Sequence, residues 1–103
     1  MLYRHSFAVK LAKKFREDGY HDPVGAAVLM GEAWYQSEGG LAWYVFDGNS
    51  LRKKYGYLDD DPVNTMRRLV IDGWIETMPK DDGNDDGIDY ICPSEYACGV
   101  MGV

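Results

Sequence analysis

The chain reads as an α+β domain with the element order α-α-β-α-α-β-β, a small three-stranded sheet and an extra helix at its N-terminal end. Three observations predict this. Apolar residues recur at spacings of three and four in 6–18 and again after Pro62. Runs rich in aromatic and β-branched residues occupy 41–46, 74–78 and 88–92. Asp-Pro pairs and glycines mark the junctions between these segments.

Taking the elements in order, Phe7, Leu11 and Phe15 repeat every four residues with Ala8 and Ala12 beside them, so 6–18 is predicted helical. Ser6 is expected to cap that helix and Gly19 to close it, with Lys10, Lys13, Lys14 and Arg16 on a solvated outer face. Asp22-Pro23 starts the second helix, because an aspartate accepts the orphan N–H groups and proline suits the first turn. That helix, 24–35, is apolar on most sides and is expected to be the most buried. Gly25 and Gly31 cost helix propensity, which points to close packing against a neighbour. Residues 37–40 end it.

The run 41–46 is predicted to be a strand, and Asp47-Gly48 to turn the chain. Asn49 or Ser50 is expected to cap a short helix at 51–55, ended by Gly56. Asp61-Pro62 repeats the helix start, and Val63, Met66, Leu69 and Val70 share one face, leaving Asn64, Arg67, Arg68 and Asp72 outside. Gly73 stops that helix. Residues 74–78 and 88–92 are predicted to pair as a hairpin across the polar loop 79–87. The tail, 93–103, shows no clear pattern.

A chain of 103 residues accommodates one domain and one modest core. Apolar residues at 46% and aromatics at 14% indicate a folded globule. No apolar run approaches the ~18–20 residues that span a bilayer. Residues 1–6 lack the features of a secretory signal. A cytoplasmic protein with no membrane partner is therefore expected, residing in the host cytoplasm if a phage encodes it. Cys92 and Cys98 are the only thiols and are expected to stay reduced there. His5 and His21 lie far from them with no motif, so no metal or other cofactor is expected.

The net charge of −6 is unevenly placed. Residues 1–57 hold eight Lys/Arg against six Asp/Glu, whereas 58–103 hold three against eleven. Such asymmetry bears on partners more than on fold.

Residues 24–76 resemble the winged helix-turn-helix domains of bacterial regulators and of phage and plasmid replication proteins. The run 40–46 followed by 49–56 is similar to the family's short strand feeding its first helix-turn-helix helix. Residues 63–76 are similar to its recognition helix with an L-x-x-x-G closure. The likeness covers about half the chain. It implies a winged-helix core over 22–92, an N-terminal helical extension over 1–21 and the 93–103 tail, all within one domain. It also implies base-reading positions at Asn64, Arg67 and Arg68, backbone contacts from Arg52, Lys53 and Lys54, and wing contacts from 79–87.

The charges at these same places depart from the family. Asp59, Asp60 and Asp61 crowd the tip that would enter the major groove. Asp81, Asp82, Asp85 and Asp86 occupy the wing against Lys80 alone. Affinity for DNA rests largely on Lys and Arg neutralising phosphates, and wing carboxylates oppose it. Asp61 has a second reading as an N-cap, and a helix dipole favours aspartates near its start by ~0.3–1 kcal/mol each. Capping leaves the wing unexplained.

The loop residues Asp82, Asn84 and Asp86, with Gly87 next, match the first half of a calcium loop. Its twelfth position, where a bidentate Glu is needed, is Pro93, and Glu95 comes two residues late, so a solvated hairpin loop is expected. No nucleophile elbow, phosphate loop or zinc-protease motif occurs, and no enzyme is expected. The aromatics Trp34, Tyr35, Trp43, Tyr44, Phe46, Trp74 and Tyr90 are more than one small core can bury, and some can form an interface patch or a homodimer surface.

Two functions follow as expectations. The first is a protein-interaction module whose acidic face, Asp59, Asp60, Asp61, Asp81, Asp82, Asp85 and Asp86, docks on a basic, nucleic-acid-binding surface of a partner. In presenting carboxylates as phosphates would be presented, such a protein resembles the DNA-mimicking inhibitors that phages use against host defence, anti-CRISPR proteins among them. The alternative is a winged-helix DNA-binding regulator or replication accessory protein that binds through Arg52, Lys53, Lys54, Asn64, Arg67 and Arg68.

Overall fold

A computed structural model describes residues 2–78 and 90–101. It is α+β, with the elements α1 (Leu2–Glu17), α2 (Pro23–Gln36), β1 (Tyr44–Val45), α3 (Gly48–Tyr55), α4 (Pro62–Ile71), β2 (Ile75–Met78), β3 (Tyr90–Pro93) and α5 (Glu95–Met101). The three strands form one antiparallel sheet in the order β1-β3-β2. The predicted order is recovered, with one helix added at the end.

Aspartates open three of the helices. Asp22 caps α2 by accepting the Gly25 N–H at 3.0 Å, and Asp61 caps α4 through Val63. Asp47 caps α3, accepting from the N–H groups of Asn49 and Ser50 and from the Ser50 hydroxyl. The cap expected from Asn49 or Ser50 is thus corrected: both are donors to the residue before the turn. Ser6 is corrected too, because α1 already runs from Leu2 and Ser6 lies inside it.

Three helices end by one device. At α1 the Tyr20 N–H donates to Phe15 O and Gly19 to Arg16 O, with Gly19 at φ +82°. This is the paired 6→1 and 5→2 closure, and α4 repeats it around Gly73. In α2 the same closure puts Glu38 at φ +55°, a region that disfavours a side chain. The 37–40 turn then absorbs the start of the strand expected over 41–46. The N–H groups of Leu41 and Ala42 both donate back to Ser37 O at 2.9 Å, so only Tyr44 and Val45 remain to pair with β3.

The core forms where α1, α2, α4 and the sheet meet, with Leu11, Phe15, Leu29, Met30, Met66, Leu69 and Ile91 fully buried. An aromatic ladder stiffens one side of it. The Phe15 ring lies 4.7 Å from Tyr20 and 4.9 Å edge-on to Trp74, and Trp74 meets Tyr96 of α5 at 4.9 Å. Gly25 is small because a Cβ there would collide with the Asp22 carboxylate. Close packing does not explain Gly31, whose position opens onto no neighbour.

The segment 95–101 corrects the reading of a patternless tail. Ser94 Oγ accepts the Ala97 N–H at 3.1 Å, and the Ser94 N–H donates to Trp74 O at 2.9 Å, so α5 is capped and anchored beside β2. Among the described residues, no helix is long and apolar enough to cross a membrane.

Candidate functional site

The charged surface expected at the helix tip forms where α2, α3 and α4 converge. Asp61 does more there than cap α4. Arg52 of α3 grips its carboxylate with two parallel bonds, both 3.1 Å. That contact holds the Asp61 carboxyl below, and the Arg52 guanidinium above, the ordinary value of each. Asp60 lies 2.7 Å from Nδ1 of His21, and its backbone N–H donates to the buried Asp22 carboxylate at 3.3 Å. Of the three adjacent aspartates only Asp59 is exposed without such a tie among the described residues.

The basic side chains divide in the same way. Arg68 donates to Asp18 O at 3.0 Å and to Gly19 O at 3.3 Å, the open carbonyls that follow α1. It also pairs with Asp72 at 3.2 Å and lies 4.1 Å over the Tyr20 ring, whose hydroxyl donates to Asp72 at 2.7 Å. Burial, reinforced by that bond to Asp72, pushes the Tyr20 phenol up. Lys54 donates to both oxygens of Glu32, at 2.9 and 3.2 Å.

Glu32 is the acidic residue that sequence reasoning passed over. It stands alone among apolar residues in α2, the one signal that could have marked it as a buried, partnered carboxylate. Besides Lys54 it accepts from the Tyr55 hydroxyl at 2.7 Å and from Gln36 at 3.0 Å. Burial works to raise its carboxyl, but the bonds from Lys54, Gln36 and Tyr55 together hold it below the ordinary value. Burial and then Glu32 push the Tyr55 and Tyr44 phenols up. Glu32, Gln36, Tyr44 and Lys54 line a cleft of about 220 Å³ between α2, β1 and α3. A carboxylate so fully bonded is a poor proton acceptor, and the arrangement is one of structural ties.

The structure therefore separates the six residues of the basic set. Arg52, Lys54 and Arg68 are engaged with Asp61, Glu32 and the end of α1. Lys53, Asn64 and Arg67 are exposed, with no hydrogen bond or ion pair to the described residues. Asp81, Asp82, Asp85 and Asp86, and with them the calcium-like loop, lie outside the described residues.

Elsewhere, Cys92 and Cys98 flank Gly40. The Cys92 thiol donates to Gly40 O at 3.5 Å, and a Cβ on Gly40 would strike the Cys98 sulfur. Burial is the main force raising both thiols, which disfavours the reactive thiolate. Among the described residues, no group of three or more His, Cys, Asp or Glu is placed to hold a metal ion.

Compared with known proteins, the chain matches no family model, no curated protein sequence and no solved structure.

Proposed function

We propose that the chain is a winged-helix-like protein-interaction module of inhibitory type, docking an acidic face on a basic, nucleic-acid-binding surface of a partner. The order α2-β1-α3-α4-β2-β3, with the sheet completed by β1, supports the winged-helix part of this reading. On this reading α4 stands where the recognition helix would be, and the wing would fall in 79–87, outside the described residues.

One observation carries the functional part: three of the five cations of the α3–α4 pair, Arg52, Lys54 and Arg68, are bonded inside the molecule. A DNA reader needs Lys and Arg side chains free to displace counterions from phosphate. Here Arg52, Lys54 and Arg68 are held by carboxylates and backbone carbonyls, and Lys53 and Arg67 alone remain. Against a net charge of −6, the two exposed cations of this helix pair give little phosphate affinity. Asp59 is left exposed, and on this reading Asp81, Asp82, Asp85 and Asp86, which lie outside the described residues, complete the acidic face. A phage anti-defence role is the setting that such a surface fits best.

Mobility of random duplex DNA at low ionic strength tests the proposal, and no shift is expected. A clear shift that Arg67→Ala abolishes would establish the alternative, a DNA-binding regulator or replication accessory protein. Capture of a basic partner from host lysate by the wild-type chain, and its loss on Asp82→Lys with Asp86→Lys, is the matching positive result. Capture unaffected by both substitutions would remove the acidic wing from the mechanism.

A further inference from the structure

Positive charge is concentrated in the first helix. Residues 1–16 hold five Lys/Arg and no Asp or Glu, whereas 17–103 hold six against seventeen. The Lys10, Lys13 and Arg16 side chains of α1 are exposed, and Lys14 is half-buried. Lys10, Lys13 and Arg16 stand at steps of three, with Lys14 one turn on from Lys10. They lie away from Leu11 and Phe15, which are fully buried in the core.

The fold leaves these four cations unpaired. None of the four side chains has a hydrogen bond, ion pair or ring contact among the described residues, and Glu17, one turn on from Lys13 and Lys14, pairs with neither. Arg52, Lys54 and Arg68, by contrast, are each held by carboxylates or carbonyls. Like charges at steps of three and four repel along a helix, so the stripe works against the helix that carries it. The helix dipole favours cations in the last turn, which accounts for Lys14 and Arg16 and leaves Lys10 and Lys13 unexplained. The main neighbour of α1 is α2, whose one carboxylate, Glu32, is already occupied by Lys54, Tyr55 and Gln36.

We infer that the outward face of α1, with Lys10, Lys13, Lys14 and Arg16, is a docking surface for an acidic helix of a partner protein, in which Asp or Glu recurs at spacings of three and four. A helix laid along α1 presents carboxylates at the repeat of the cations, so charge and spacing match together. Charge and topology select this occupant. A lipid surface takes up the apolar side of a helix, and that side of α1 is buried in the core, leaving Val9 exposed among the cations. A nucleic-acid duplex carries charge along its whole length and would meet the acidic excess of 17–103 as well as the stripe. A second copy of the chain lacks the complement: among the described residues no helix has two exposed carboxylates, Glu17 standing alone in α1 and Glu95 in α5. The stripe shares no residue with the proposed acidic face, and the inference stands whether or not that face binds.

Calorimetric titration of the full chain tests it, at about 0.1 M salt, where charges more than about 10 Å apart are screened. The probes are an alanine-rich helical peptide with Glu at spacings of three and four, and its Gln counterpart of equal length. The Glu peptide is expected to bind saturably and the Gln peptide not at all. Lys10→Glu with Lys13→Glu should weaken binding by roughly tenfold or more. Lys53→Glu with Arg67→Glu changes the net charge equally at the exposed cations of α3 and α4, and should leave affinity within about threefold. Equal losses from the two pairs, or no saturable binding of the Glu peptide, overturn the inference. So does a mobility shift of random duplex DNA that Lys10→Glu with Lys13→Glu abolishes, since phosphate would then be the occupant. A wild-type dimer in sedimentation that the same pair dissociates overturns it as well, in favour of a second copy. Far-ultraviolet circular dichroism confirms that the variants fold. Should the Glu pair unfold, Lys10→Gln with Lys13→Gln removes the charge at little cost in helix propensity and should still weaken binding by roughly threefold or more.

Discussion

The helix tip and the sheet face make an instructive pair. Both are rich in the residue types that recognise partners, charged groups at the one and exposed aromatic and aliphatic groups at the other. At the tip, most of those groups have found partners inside the molecule: Arg52 with Asp61, Lys54 with Glu32, Arg68 with the end of α1, Asp60 with His21. On the sheet, Trp43, Val45 and Met78 stay open to solvent. A cluster of charge in sequence is thus a weaker pointer to a binding surface than a cluster of charge left unpaired by the fold. Charges can neutralise one another locally, whereas Trp43, Val45 and Met78 keep 40–49% of their surface in solvent.

Neighbouring arginines give the largest test of this contrast. Arg68→Ala removes two bonds to the Asp18 and Gly19 carbonyls that follow α1, the pair with Asp72 and the stacking on Tyr20. It should lower unfolding free energy by about 1–3 kcal/mol. Arg67→Ala, one residue earlier and exposed, should stay within about 0.5 kcal/mol. Chemical denaturation of the two variants side by side checks this. Equal effects would show that the α1–α4 tie is not a structural one.

How much of this was legible beforehand divides along similar lines. Asp22-Pro23, Asp61-Pro62, Gly19 and Gly73 are local signals, and each does in the structure what its chemistry suggests, since caps and left-handed stops need only their own few residues. The face Val63, Met66, Leu69 and the pairing of 75–78 with the returning strand were legible from periodicity. The α3 cap was misplaced because three candidates, Asp47, Asn49 and Ser50, stand within four positions and only geometry ranks them. The helix 95–101 was missed because Gly99 and the two thiols hide a short pattern, although Ser94 with Glu95 was a usable start signal. The ties of the candidate site were out of reach. Lys54 to Glu32 spans 22 positions and Arg68 to Asp18 spans 50, and no spacing rule connects residues that far apart.

Glu32 sharpens the tip side of the comparison through pH. Its carboxyl is depressed in the folded state, so the stability that it contributes is present above the unfolded carboxylate range of ~4.3 and is lost as pH falls through the lower folded value. Asp61 and Asp47 are depressed as well and act in the same direction. Stability should therefore be flat from neutral pH down to about 4.5 and fall below it. Glu32→Gln, which cannot ionise, should make that fall shallower. A wild-type curve that rises on acidification, or a Glu32→Gln curve parallel to it, would show that the Lys54, Tyr55 and Gln36 cage does not hold the charged form.

The smallest expected effect lies on the sheet, and it bears most directly on what that face is for. Val45→Thr exchanges an exposed methyl for a hydroxyl at the same branched shape, and threonine is itself at home in strands. If Trp43, Val45 and Met78 are unpartnered surface, the exchange should change unfolding free energy by less than about 0.5 kcal/mol. Trp43→Thr, with the indole already 41% exposed, should cost no more than about 1–2 kcal/mol, far below the ~3–5 kcal/mol of a truly buried tryptophan. Trp74, buried against Phe15 in the core, is the internal standard for that upper value. Thermal denaturation of these two variants beside Trp74→Ala orders them directly. A Trp43 cost that matches Trp74 would mean that the chain itself covers these side chains, leaving no open face for a partner to bind.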